Sequence, residues 1–445
     1  MNDRVLIQFP GLGSYIPGIL AGMVEAAPPL GAVVSEIDRV AAAYGLGPVS
    51  QPLTDPAGPD IESLAETPTL LHLASFASSY VLYRALCTRG VAGDVLLGHS
   101  TGEITALAAG GALSVSDAAR VLCEREVALA DIGERGGLVA VHTSAKRAQQ
   151  LCGAAGGWSL LVSLSNSPGQ AVISGSEADL PRLEAVTQAA GVQATRLLVR
   201  YPHHNPLLRP AAQQVAAAAA TYRIGDPTTR VYSPILGRFV ADAADARRIV
   251  DRHLTEAVDY LGAIRALYDD FELREFIEVG VRSVLTDRTG ESLPPDVTLR
   301  SPPANARNAH QILDVLAGVS GPDVLSSAAV PSATDPEPAA DSGAVSGGPA
   351  TDGFASHALP DRDVLLARLR RTFAEALGYP EDVFTDDAHL EADLGIASVK
   401  KTELVVRLLD EYQLPTPPAQ LRMRDYSTLP KLAGLMETLA TQQAV

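Results

Sequence analysis

Ser100 is the residue best set up for chemistry. It stands in Asp94-Val-Leu-Leu-Gly-His-Ser-Thr-Gly-Glu103, bracketed by Gly98 and Gly102. The apolar run Val95–Leu97 predicts a buried strand, and Ile104 to Leu113 predicts a helix. Strand, Gly-x-Ser-x-Gly, helix is the pattern of a nucleophile elbow, a turn so tight that the serine's neighbours must be small. A serine at a helix N-terminus also lies beside free N–H groups that can receive an oxyanion. To attack at neutral pH it needs a base. His99, His203 and His204 offer themselves. His99, next to the serine on a tight turn, is expected to point away. The pair 203–204 lies in the proline-rich loop Tyr201–Pro206 after a strand, where either ring is well placed. Arg125 lies inside a helix predicted over 118–131, where an arginine is ordinarily a solvated side chain.

The elements that must position these groups read as an α/β body. Val5–Phe9 predicts a first strand running into the turn Pro10-Gly-Leu-Gly-Ser14 at its C-terminal end, the edge where open α/β sheets bind ligands. Helical patterns cover 16–46 and 70–86. From 135 to 200 the order is strand 138–142, helix 145–152, strands 160–164 and 170–174, helix 180–190 and strand 193–199. That β-α-β-β-α-β order predicts a ferredoxin-like unit inserted into the larger body. The body resumes with a helix at 208–220, a strand near Val231, a helix from Arg247 and a strand at Phe276–Gly280.

Residues 318–357 are dominated by Ala, Ser, Pro, Gly and Asp without periodicity, which predicts a disordered linker. Beyond it, Leu365, Leu366, Leu369, Phe373 and Leu377 share one helical face. A second helix is expected from about Ser398, with Leu404, Val405, Leu408 and Leu409 on one side, and a third from Leu429. The expected domains are therefore 1–317, the linker 318–357 and a small helical bundle over 358–445.

Bulk composition narrows the class. The 445 residues carry a formal charge of −17, which argues against a nucleic-acid partner. No run approaches the roughly 18–20 apolar residues of a membrane span, and the N-terminus lacks a signal-peptide core. Cys87, Cys123 and Cys152 show no metal spacing, so no metal site is expected, and an odd count suits a reducing cytoplasm.

Residues 4–300 resemble the malonyl-CoA:acyl-carrier-protein transacylase family, which includes the acyltransferase domains of polyketide synthases. The resemblance rests on Phe9-Pro-Gly-Leu-Gly-Ser14, Gly98-His-Ser-Thr-Gly-Glu103, Leu122-Cys-Glu-Arg125, Asn166-Ser-Pro-Gly-Gln-Ala-Val-Ile-Ser-Gly175, Pro202-His-His-Asn-Pro206, Val231-Tyr-Ser233 and Glu278-Val-Gly280. It implies an α/β-hydrolase-like body with Ser100 as nucleophile and His204 as general base. It further implies an oxyanion hole from the Leu12 and Thr101 amides, and Arg125 on the carboxylate of a malonyl-type acyl group. His99 and His203 would touch substrate, and the backbone carbonyl of His253 would orient the base. Four positions depart from the family pattern. Leu12 and Thr67 stand where glutamines are usual. His203 replaces a phenylalanine or serine, and Thr101 also sits at a selectivity position. The acyl group is then malonate or a more polar relative.

Residues 361–440, with Asp393-Leu-Gly-Ile-Ala-Ser-Val-Lys400, resemble acyl carrier proteins, four-helix bundles that carry 4'-phosphopantetheine on a serine. Ser398 matches that serine, and Ala397 replaces the usual aspartate. A phosphodiester at a helix start suits the free N–H groups there.

Together the resemblances imply an acyltransferase that moves a malonyl group from CoA through Ser100 to the pantetheine thiol, expected on its own Ser398, for polyketide-type biosynthesis. Implied partners are an acyl thioester such as malonyl-CoA, a phosphopantetheinyl transferase, and a ketosynthase or other synthase on a separate chain. The rival readings are a hydrolase that clears acyl groups from carriers, a transferase of non-malonyl groups between carriers, and a carrier protein with a degenerate scaffold.

Overall fold

The computed structural model describes residues 4–318, apart from 134 and 198. Further on it describes 360–377, 381–386, 388–390, 401, 404–405, 408–409, 412, 414 and 426–443. The chain divides into two compact units, Met1–Asp323 and Val324–Val445. The linker's core, Ala397 and Ser398 lie outside the described residues.

The strands of the first unit are β1 (Arg4–Phe9), β2 (Val95–Gly98), β3 (Gly136–Val141), β4 (Leu161–Ser167), β5 (Gln170–Ser176), β6 (Ala194–Arg196), β7 (Arg230–Ser233), β8 (Arg238–Phe239), β9 (Val258–Asp259), β10 (Leu273–Glu278) and β11 (Thr298–Arg300). They form a six-stranded sheet, β11-β10-β1-β2-β7-β8, and a five-stranded sheet, β6-β3-β5-β4-β9. The larger sheet is parallel except for the β7–β8 pair. Its central strands end in register, with Phe9 opposite Gly98 and Gln8 opposite Glu278. Three loops that follow them, 10–14, 99–101 and 279–284, therefore meet at one carboxyl edge, where a parallel sheet presents its ligand site.

The helices of eight or more residues that cover this unit are α1 (Pro28–Ala43), α2 (Pro68–Thr88), α3 (Gly102–Ala109), α4 (Val115–Ile132), α5 (Ala145–Ala155), α6 (Leu180–Ala189), α7 (Arg209–Ala219), α8 (Ala243–Arg252), α9 (Tyr260–Asp269) and α10 (Ala309–Leu316). α2 is buried over most of its length, as expected of a helix that is apolar all round. α4 is capped by Ser114, whose hydroxyl accepts from the Asp117 amide. The main core joins α1, α2, α3 and α4 to the underside of β1 and β2. The smaller sheet packs α5 and α6 on a core of its own, including Val139, Val141, Leu151 and Ile173.

Three sequence expectations shift. Residues 16–22 are turns rather than helix, because Pro17 precedes Gly18 and Gly22, both at positive φ (68° and 71°). The last strand of the smaller sheet shrinks to Ala194–Arg196. A fifth strand, β9, joins that sheet parallel to β4.

In the second unit, α11 (Arg362–Leu377) and α12 (Leu429–Gln443) pack Leu365, Leu369, Phe373, Leu432 and Met436 together with Leu404, Val405, Leu408 and Leu409. At Leu365, Leu366, Leu369, Phe373, Leu404, Val405, Leu408 and Leu409 the apolar spacing read from the sequence is thus the buried face.

Candidate active site

Ser100 has φ 54°, a conformation an L-residue adopts only under constraint. The constraint is crowding. A Cβ on Gly98 would fall 2.1 Å from Gly102 O, and one on Gly102 would fall 2.1 Å from Phe9 O. The strand, turn and helix approach so closely that only glycine fits, and Ser100 is lifted above the sheet edge. His99 N donates to Phe9 O (3.0 Å), fastening the turn to β1.

Buried carboxylates hold the surrounding loops. Glu103, at the start of α3, accepts from Ser233 Oγ (2.7 Å) and Ile235 N (3.0 Å), tying the elbow helix to the end of β7. Burial pushes its carboxyl up to about 8, against the pull of those two donors. Glu278 accepts from the amides of Val284, Leu285 and Thr286 and from Thr286 Oγ1. The 10–14 turn is fixed from the other side, where Ser14 Oγ accepts from Val281 N (2.9 Å). Several motif residues near the site are therefore its footing rather than its chemistry.

His204 comes from the loop after β6 and also has positive φ, 58°. Its neighbour Asn205 anchors that loop, donating to Ser159 O and Ser174 Oγ. Ser100 Oγ and His204 Nε2 are 2.8 Å apart, and His204 Nδ1 is 3.0 Å from Glu256 O. A carbonyl can only accept, so Nδ1 carries the hydrogen and Nε2 is left bare to accept from the Ser100 hydroxyl. Burial first, and then the neighbouring His203 and Arg125, hold His204 well below the usual imidazole range. A neutral, correctly tautomeric ring beside a serine hydroxyl is a nucleophile and its base.

The orienting carbonyl is a correction. The sequence resemblance put it at His253, but the carbonyl facing His204 belongs to Glu256, three residues on. His253 instead turns its side chain inward, and its Nε2 donates to Ser100 O (2.8 Å). It closes the tail of α8, and the chain must pass that turn before its carbonyls face His204.

The other candidates fall as follows. Leu12 lies in the 10–14 turn and Thr101 follows the nucleophile, and neither backbone N–H has an acceptor among the described residues. His99 Nε2 faces Asn166 Oδ1 (2.8 Å), and its ring meets Tyr260 edge-on. The His99 ring is held by Asn166 and Tyr260, and no hydrogen bond joins it to Ser100 or His204 among the described residues. Arg125 is 2% exposed, and its Nε and Nη1 have no hydrogen-bond partner. Burial lowers its guanidinium to about 10. His203 is 7% exposed and its Nδ1 is also unpartnered.

Two residues escaped the sequence reading. His72, on α2, faces Thr101 Oγ1 through Nδ1 (3.3 Å) and Glu126 Oε1 through Nε2 (3.3 Å). Glu126 is 9% exposed. A histidine and a glutamate within helices carry no signal of their own, and only burial reveals them. A cavity of about 40 Å³ opens among Leu12, Leu71, His72, Glu126, Tyr201 and His203. No group of three or more His, Cys, Asp or Glu side chains among the described residues could hold a metal ion, and no described helix is long and apolar enough to cross a membrane.

Residues 9–304 match the acyl transferase domain family. The chain belongs to that family. Residues 367–436 of the acyltransferase's second unit match the phosphopantetheine attachment site family. Mycoketide-CoA synthase of Mycobacterium tuberculosis is 29% identical over 295 residues, which are 65% of this chain but 7% of that protein. The acyltransferase domain from module 8 of the salinomycin polyketide synthase superposes with TM-score 0.63 at 28% identity, covering 71% of this chain and 74% of that one. The malonyl-CoA:acyl carrier protein transacylase of Xanthomonas oryzae gives 0.61 at 27%, covering 68% and 96%. The fold is thus the mixed α/β fold of these acyltransferases, and the chain spans a small fraction of its polyketide synthase relatives.

Proposed function

We propose that this acyltransferase moves a malonyl-type acyl group from a CoA thioester, through Ser100, to phosphopantetheine on its own carrier unit. The observation that carries the reading is the Ser100–His204 pair with the unpartnered Arg125 guanidinium buried nearby. Ser100 Oγ attacks the thioester carbonyl, and its proton passes to His204 Nε2 while Glu256 O holds the ring through Nδ1. The Leu12 and Thr101 amides stabilise the oxyanion. The C–S bond breaks and CoA leaves with the proton from Nε2. Arg125 is ready for a carboxylate, because a buried guanidinium whose Nε and Nη1 lack acceptors gains two charge-assisted bonds when one arrives. A hydrolase of plain acyl chains has no use for it.

Ser398 supplies the hydroxyl that a phosphodiester requires, and helical residues at 401, 404–405 and 408–409 follow it. Phosphopantetheine, attached there by a separate phosphopantetheinyl transferase, supplies the thiol that accepts the acyl group. Chain extension would then fall to a ketosynthase or other synthase on another polypeptide, in the cytoplasm, a setting that suits the free thiols of Cys87, Cys123 and Cys152. The strand order β6-β3-β5-β4 and its antiparallel pairings support a ferredoxin-like subdomain at about 135–200.

A flexible linker over 318–357 would span roughly 35 Å, enough for self-loading. The test mixes a Ser100→Ala chain with a Ser398→Ala chain. Self-loading predicts that the mixture acylates slowly and faster with concentration, while the intact chain loads at a rate independent of dilution. Equal rates at low micromolar concentration would contradict it.

A further inference from the structure

The peptide group between Ser100 and Thr101 has two ends with different fates. Its N–H is the Thr101 amide, which has no acceptor among the described residues. Gly11 keeps the space before that amide clear. A Cβ there would fall 3.6 Å from Thr101 N and 3.5 Å from Ser100 Cβ. The oxygen of the same peptide is engaged twice. Ser100 O accepts from Glu103 N (2.8 Å), within the first turn of α3, and from His253 Nε2 (2.8 Å), which arrives from the tail of α8, 153 residues away in sequence.

His253 is 1% exposed, and this is its one hydrogen bond among the described residues, since Nδ1 has no partner. A carbonyl only accepts, so Nε2 carries the hydrogen and Nδ1 is bare. Burial first, then Arg125 and His204, hold the imidazole well below its usual range, so the ring is a neutral donor. A buried bare nitrogen costs stability. The polar chemistry of this ring goes into one backbone oxygen of the elbow.

Fixing that oxygen acts on the N–H at the other end of the peptide in two ways. It sets the plane of the group, which follows a residue at φ 54°, a conformation that persists only where its surroundings over-determine it. It also polarises the amide, because a carbonyl that accepts a hydrogen bond makes the N–H of its own peptide unit a stronger donor.

We infer that His253 is a positioning residue for the reaction: its Nε2–H aims and strengthens the Thr101 amide that receives the thioester oxyanion. The inference rests on the acyltransferase reading of Ser100 and Thr101 and extends it to a residue that acts through the backbone. The same turn also holds the base. Leu254 O accepts from Asn205 N (3.1 Å), Glu256 O faces His204 Nδ1 (3.0 Å), and the His204 and His253 rings lie 5.5 Å apart. A role through His204 would move the pH profile, whereas a role through Thr101 lowers the rate alone.

The test uses the full chain with Ser398→Ala as parent, so that label accumulates on Ser100. Quenched-flow mass spectrometry follows single-turnover acylation by malonyl-CoA. Three variants grade the bond. His253→Gln keeps an N–H donor near the place of Nε2, His253→Asn draws it back, and His253→Met removes it. Loss of an oxyanion donor outright costs roughly 10²–10³-fold in rate, and loss of its aim alone is expected to cost about 10-fold. The Met chain should therefore acylate about 10-fold slower at saturating malonyl-CoA, with the half-saturating concentration and the midpoint of the acid limb unchanged. The Gln chain should stay within about threefold of the parent, with the Asn chain between the two. A folded Met chain at the parent rate, or a Gln chain as slow as the Met chain, would overturn the inference. A loss that travels with a shifted pH midpoint would overturn it too, and assign His253 to the base. Where thermal melting shows the Met chain unfolded, Gln against Asn decides, and equal rates overturn the inference. A parent chain whose Ser100 takes no malonyl label would overturn the transferase reading as well; a labelled parent with indifferent variants removes the positioning role alone.

Discussion

Glu103 and Glu126 sit on consecutive helices, and both are nearly sealed from water, at 2% and 9% exposure. Their surroundings differ in kind. Glu103 receives a hydroxyl and an amide, and so locks the elbow helix to β7. Glu126 faces His72 Nε2 (3.3 Å) and shares one wall of the site with Arg125, whose Nε and Nη1 have no hydrogen-bond partner, and His203, whose Nδ1 has none. The footing of the site follows the rule that buried polar groups are paired, while the wall breaks it. An unpaired buried group costs stability, so a wall that holds such groups points to a ligand that completes it.

The contrast predicts opposite signs for substitutions in the two regions. The largest effect is expected in the wall. Arg125→Met should lower specificity for malonyl thioesters roughly 10- to 150-fold, the loss of about 1.5–3 kcal/mol of charge-assisted bonding. The same change should leave the thermal midpoint unchanged or raise it, since it removes an unpaired buried charge. Acetyl transfer should be unaffected or improved. A fall in stability with unchanged malonyl kinetics would place Arg125 in the footing instead.

In the footing, Glu103→Leu strands the Ser233 hydroxyl and the Ile235 amide. It should cost about 1–3 kcal/mol in urea unfolding. A neutral result would mean that the elbow helix does not depend on this tie.

A further effect separates the regions by pH. The His203 value falls from 6.5 to about 3 on folding, so its contribution is complete above 6.5 and is lost as pH falls toward 3. The slope is about 1.4 kcal/mol per pH unit for one such group. Glu103 rises from 4.5 to about 8, so its contribution is complete below 4.5 and is lost as pH rises through 8. Thermal midpoints between pH 4 and 9 should therefore show an acid limb that His203→Phe flattens and an alkaline limb that Glu103→Gln flattens. Limbs indifferent to both changes would break the pairing of region with sign.

Much of the footing was legible in the sequence. Val95–Gly98 announces its strand by a continuous apolar run, and the two glycines announce the turn because no other residue fits there. The order of strands and helices from 135 to 200 was readable from alternating periodicities. Two-residue strands such as β9 carry no periodicity, so the fifth strand of the smaller sheet could not be seen. The wall was harder. Arg125 was singled out only through resemblance. Glu126 reads on a helix as a solvated charge, and His72 reads as an ordinary residue of an apolar helix. What makes them a site is their meeting across 54 residues of sequence. The Glu256 carbonyl was missed by three residues, because a backbone oxygen leaves no trace in residue type.

The central claim is that Ser100 is the acylated nucleophile of a transferase. The most direct measurement incubates Ser398→Ala protein with malonyl-CoA and maps the mass adduct by peptide analysis. The account predicts a malonyl adduct on the peptide containing Ser100, absent once Ser100→Ala is added. An adduct that survives Ser100→Ala in that background would contradict it.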